Sequence, residues 1–145
     1  MWWRNVTLIY AVVFTAVGIL GFVPTFLSPP PEEMLLVVNS FHGELFGLFP
    51  VNLLHNIVHL LFGLWAFFAY FSGRLASRAY LRSVAVIYAV LTVMGLIPGL
   101  NTLFGLVPLH GNDIWLHAVL AIVAGYVGFA MPDRETDAAR AQTHV

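Results

Sequence analysis

The chain has 145 residues, of which 60% are hydrophobic and only 9% charged. A soluble domain carries about a quarter charged residues, so this composition describes one small integral membrane domain rather than a soluble one. A formal net charge of −1 gives no basis for binding nucleic acid, and the absence of cysteine excludes disulfides, thiolate metal sites and thiol redox chemistry.

In chain order, residues 6–27 come first, uncharged for 22 positions. A signal peptide has a shorter apolar region of about 7–15 residues and ends in a small-residue cleavage site. Here the run ends in SPPPEE, so a spanning helix is expected. In the loop that follows, 28–50, the stretch MLLVV-NS-FHGELFGLF predicts a short hairpin on the membrane surface. Residues 51–72, 80–97 and 114–130 are the remaining spans, each near the ~20 residues that a bilayer requires. Pro24 and Pro98 lie near the far ends of the first and third spans, where a missing backbone donor costs least. The expected fold is an all-α membrane protein, a four-transmembrane-helix bundle over 1–131 followed by a short cytoplasmic tail, 132–145.

Charge orients the spans. The basic residues are all arginine (Arg4, Arg74, Arg78, Arg82, Arg134 and Arg140) and fall at the N-terminus, in the second loop or in the tail. The first and third loops hold Glu32, Glu33, Glu44 and Asp113 instead. Positive charge marks the cytoplasmic side, so both termini are expected there and the acidic loops outside. Trp2, Trp3 and Trp115 fall at expected membrane interfaces, as amphipathic rings prefer.

The chain also repeats itself. LFGLFPVNLLHNIVH, 45–59, aligns without a gap on LFGLVPLHGNDIWLH, 103–117, and IYAV at 9–12 recurs at 87–90. This reads as two repeated two-helix units about an axis along the membrane normal. The alignment pairs Asn52 with His110, His55 with Asp113, and His59 with His117. Residues four apart share a helical face, so His55 with His59, and Asp113 with His117, form two matched pairs. Asn52, His55, Asn56 and His59 extend the first pair into a polar stripe two turns long, which would not face lipid.

At 1.5 Å per residue, His59 lies roughly 12 Å along the helix from Val51, in the outer half of the bilayer. Ionisable groups at that depth face the bundle interior and mark function. The candidate ligand set is His55, His59, Asp113 and His117, with Asn52, Asn56 and His110 as supporting polar groups. Three imidazoles and a carboxylate suit zinc, copper or iron. HNIVH lacks the glutamate of the metalloprotease H-E-x-x-H signature, which disfavours that chemistry. A haem held by one histidine from each unit meets the same residue pattern. The alternative is a non-enzymatic membrane subunit whose stripe only holds helices together, by hydrogen bonds worth ~0.6 kcal/mol on average. A channel is disfavoured, because no ionisable residue continues the stripe toward the cytoplasmic side before Arg82.

VNLLHNIVHLLFG, with the later LFGLVPLHGNDIWLH, resembles a bacterial membrane protein family known as domain of unknown function 4383, over about residues 5–130. The family is similar to the wider DoxX-like group of four-helix membrane proteins, some of which are linked to membrane oxidoreductase systems. The resemblance implies a multi-pass protein of the bacterial inner membrane and favours redox chemistry over transport. Expected partners are the lipid bilayer and a membrane redox protein, with homo-oligomerisation left open; the resemblance supplies no catalytic residue.

Overall fold

The computed structural model describes residues 2–30 and 36–132. Among them are four helices long and apolar enough to cross a membrane. They are α1 (Trp2–Leu20), α2 (Leu53–Ser72), α3 (Arg74–Leu96) and α4 (Asn112–Gly125), the last continuing as a π-helix over Tyr126–Ala130. The tail expected to be cytoplasmic lies outside the described residues apart from Pro132, as do Glu32 and Glu33.

The helix ends differ from the hydropathy pattern in two places, each for a local reason. α1 stops at Leu20 rather than at residue 27, and a turn leads into a 3-10 helix, Pro24–Phe26. Pro24 sits at the start of that turn, where its missing N–H is no loss. α3 begins at Arg74, six residues before its apolar stretch, because arginine is a good helix former whatever its polarity. The second loop is therefore a single residue, Gly73, with φ of 107°. That conformation suits a residue without a Cβ.

α1 packs mainly against α2, and α3 against α4. The core between them contains Trp3, Tyr10, Phe14, Ala66, Tyr80, Leu81, Val84, Tyr88 and Ala124, all buried. Ala66 and Ala124 are fully enclosed, and such small residues let the backbones approach closely. The opposite faces present Leu61, Leu64, Phe68, Phe71, Val90 and Ile122, an apolar surface suited to lipid. Trp2 and Trp115 are exposed as expected, but Trp3 turns inward and donates from Nε1 to the Val127 carbonyl at 2.7 Å.

A small antiparallel sheet lies at the end of the bundle where α2 and α4 begin. Its strands, β1 (Leu27–Ser28), β2 (Gly43–Leu45) and β3 (Phe49–Val51), pair in sequence order, with Leu27 opposite Leu45 and Glu44 opposite Pro50. The hairpin therefore turns at 46–48, not at Asn39–Ser40, and the described part of MLLVV, 36–38, is not a strand. Phe46 and Gly47 carry the chain through the turn with φ of 56° and 68°. Phe104 and Gly105, in the second LFGL, also take positive φ, 59° and 83°, but there Leu103 is at 45° as well, whereas Leu45 is a strand residue, so the conformation recurs only in part. In both copies the last leucine donates to the first, Leu48 to Leu45 at 3.1 Å and Leu106 to Leu103 at 3.2 Å.

Candidate metal centre

The asparagines of the stripe bond to backbone carbonyls. Asn52 is the N-cap of α2 and accepts from the His55 backbone N–H at 2.9 Å. Its amide nitrogen donates to Val38 O at 2.9 Å and Leu106 O at 2.7 Å, tying the helix start to both loops at this end of the bundle. Asn56, one turn deeper, donates to the Gly21 carbonyl at 2.7 Å. Gly21 lies so close to that amide that a Cβ would collide with it, which explains the small residue just after α1.

The histidines behave otherwise. His55, His59 and His117 are each no more than 4% exposed. One ligating atom from each lies within 4.8 Å of those of the other two. The His55 and His59 rings meet edge to face at 4.5 Å between centroids, and His55 and His117 lie 6.4 Å apart. Phe14 stacks on His59 at 5.5 Å, and Tyr88 meets His117 edge-on at 4.8 Å. Each imidazole keeps an Nδ1 that is buried and has no hydrogen-bond partner. Buried polar atoms are nearly always paired. One ring nitrogen from each imidazole comes within 4.8 Å of those of the other two, from two helices, and each ring keeps an unpartnered Nδ1, an arrangement suited to a common electrophile.

Asp113 and His110 take different places from those the alignment suggested. Asp113 is 1% exposed in the first turn of α4, at the positive end of the helix dipole. Its Oδ2 lies 3.4 Å from His117 Nε2, longer than a well-formed hydrogen bond, and it stands outside the three-histidine group. A carboxylate facing the far nitrogen of a candidate ligand is the usual orienting partner of a metal-bound histidine. His110 is half-buried in the loop before α4 and is also outside the group. Burial lowers its pKa, the nearby His42 lowers it further, and Glu44 opposes both. Burial likewise lowers that of His42. Tyr88 and Phe14 entered no sequence argument as site residues, although the repeated IYAV, with Tyr10 and Tyr88 at its second position, marked one of them.

The centre sits at the N-terminal ends of α2 and α4, beneath the sheet and the 97–111 loop. At the opposite end of the bundle Arg78 and Arg82 both donate to the Gly128 carbonyl. No curated protein and no solved structure matches this chain. The profile of one family, described as Domain of unknown function (DUF4383), matches residues 4–130. Four apolar spans enclosing a buried histidine cluster are thus the architecture of a chain that belongs to the DUF4383 family.

Proposed function

We propose that the protein binds a single transition-metal ion through His55, His59 and His117, at a site on the extracytoplasmic side of the bacterial inner membrane. The observation that carries this is the three unpartnered, buried Nδ1 atoms. Helix glue accounts for Asn52 and for the amide nitrogen of Asn56, both bonded to backbone carbonyls, although Asn56 Oδ1 is left without a partner. It does not account for the three Nδ1 atoms.

Three neutral nitrogens leave a fourth position free for water or substrate, as in open zinc sites, and they also suit copper and iron. A tetrahedral ion with bonds of about 2.0–2.1 Å needs nitrogens about 3.3 Å apart. Small ring rotations would bring the present group, within 4.8 Å, to that spacing. Haem is the weaker fit. Phe14 and Tyr88 pack directly against His59 and His117, and a macrocycle would need that space. Asp113 orients His117 rather than serving as a ligand.

The arginine distribution supports cytoplasmic termini. With copper or iron the site would exchange electrons with a membrane redox partner, and with zinc it would act as a Lewis acid. The test is elemental analysis and absorption spectroscopy of protein purified without chelator. About one equivalent of metal, lost in His55→Ala, His59→Ala and His117→Ala, is expected. Folded protein that takes up no zinc, copper or iron at micromolar concentration would defeat the reading.

A further inference from the structure

The arginine end of the bundle has a second, independent arrangement. Arg78 and Arg82, one turn apart on α3, donate from Nε to the same acceptor, Gly128 O, at 3.0 and 2.9 Å. Their guanidinium groups are therefore held side by side, with the two Nε atoms no more than about 6 Å apart. Like charges that close repel, and one carbonyl at a helix end offsets only part of this. No acidic residue among the described residues pairs with either.

Both groups are also fixed in orientation. Arg78 lies over the Trp3 ring at 4.4 Å, and that indole is itself bonded to Val127 O. Arg82 lies over Phe129 at 5.1 Å. Each guanidinium has five N–H donors, and only the Nε–H of each has an acceptor among the described residues. Both side chains are half-buried, so their remaining donors are within reach of solvent or headgroups. The π-helix over Tyr126–Ala130 forms the other wall, and a Cβ on Gly128 would press on Arg82.

We infer that Arg78 and Arg82 form a clamp for a phosphate oxyanion, supplied by the headgroup of an anionic lipid. Paired guanidiniums match the oxygens of a phosphate in two-pronged fashion, which lysine cannot reproduce. The lipid source follows from position, since both residues lie in the first nine residues of the membrane-spanning α3, beside the last turn of the fourth span, where headgroups are the abundant phosphates. The clamp stands whether or not the histidines hold a metal.

The experiment follows thermal unfolding of the full chain in phosphatidylcholine nanodiscs as phosphatidylglycerol replaces part of the lipid, with inorganic phosphate in a parallel arm. Ligand that binds only the folded state raises the midpoint. A rise of several degrees is expected with phosphatidylglycerol and none with phosphate at equal concentration. The R78K/R82K double variant, which keeps both charges, should lose more than half of that increment. R4Q, whose guanidinium stacks on Tyr70 instead, should keep it. Equal increments in wild type and R78K/R82K would reduce the effect to bulk charge and overturn the clamp. A rise with inorganic phosphate alone would overturn the lipid assignment. Should the double variant fold poorly, wild-type protein is extracted from mixed-lipid membranes and its retained lipid measured by mass spectrometry. Enrichment of phosphatidylglycerol over phosphatidylcholine supports the clamp, and equal retention overturns it.

Discussion

His117 and Asp113, one turn apart on α4, face each other through Nε2 and Oδ2 at 3.4 Å, while His117 Nδ1 is buried without a partner. On the proposed reading, the carboxylate steadies the ring through one nitrogen and leaves the other for the ion. Asp113→Asn should therefore weaken metal binding about 10–100-fold without abolishing it. Metal titration of the purified variant measures this. Complete loss would make Asp113 a ligand, and no change would leave it without a positioning role.

The three imidazoles should act as a unit. His59→Ala and His117→Ala should each remove most bound metal, and the double variant should lose little more, because residues sharing one partner are not additive. Metal content and thermal stability of the two single variants and the double variant decide it. Modest stability losses that add, with no metal in the wild type, would return the histidines to simple packing.

Asn52 should behave in the opposite sense. Removing its side chain deletes an N-cap and leaves Val38 O and Leu106 O unpaired. Asn52→Ala should cost about 2–3 kcal/mol of stability. The fraction that stays folded should keep its metal. Metal loss out of proportion to unfolding would mean that Asn52 belongs to the site.

Acid should act through two routes. Metal binding requires neutral imidazoles, so protons compete with the ion. His42 and His110, outside the spans, have pKa values lowered by burial, against about 6.5 when unfolded. Their contribution is fully present above about pH 6.5 and is lost as pH falls below it, because the unfolded state then binds more protons. Unfolding midpoints should be flat between about pH 7 and 8 and fall below about 6.5. His110→Asn should flatten the fall measured on metal-free protein while leaving metal stoichiometry unchanged.

Topology is open to a direct test. Arg4, Arg74, Arg78 and Arg82 predict that a reporter fused at residue 145 reads as cytoplasmic and one inserted at 39–40 as external. The opposite result would move the histidine centre to the cytoplasmic side.

Sequence alone determined four spans, because a bilayer demands about 20 apolar residues and charge-free runs of that length have no other use. The interior location of Asn52, His55, Asn56 and His59 was equally legible, since a two-turn polar stripe cannot be wetted by hydrocarbon. Helix ends were less so. Hydropathy reports what lipid tolerates, whereas α3 extends through three arginines and α2 ends at one glycine of positive φ. Only the tertiary structure separated the polar residues by their hydrogen-bond partners. Spacing put Asn56 and His59 on one face, but whether a side chain finds a carbonyl depends on the neighbouring helix. Gly21 offers one to Asn56. His59 Nδ1 finds none, with Phe14 stacked on its ring and His55 at its edge. The same holds for Asp113 and His55, aligned in the sequence, since His55 joins His59 and His117 within 4.8 Å whereas Asp113 stands outside that group beside His117. Periodicity sets a direction within one helix, and the packing of two helices decides what lies there.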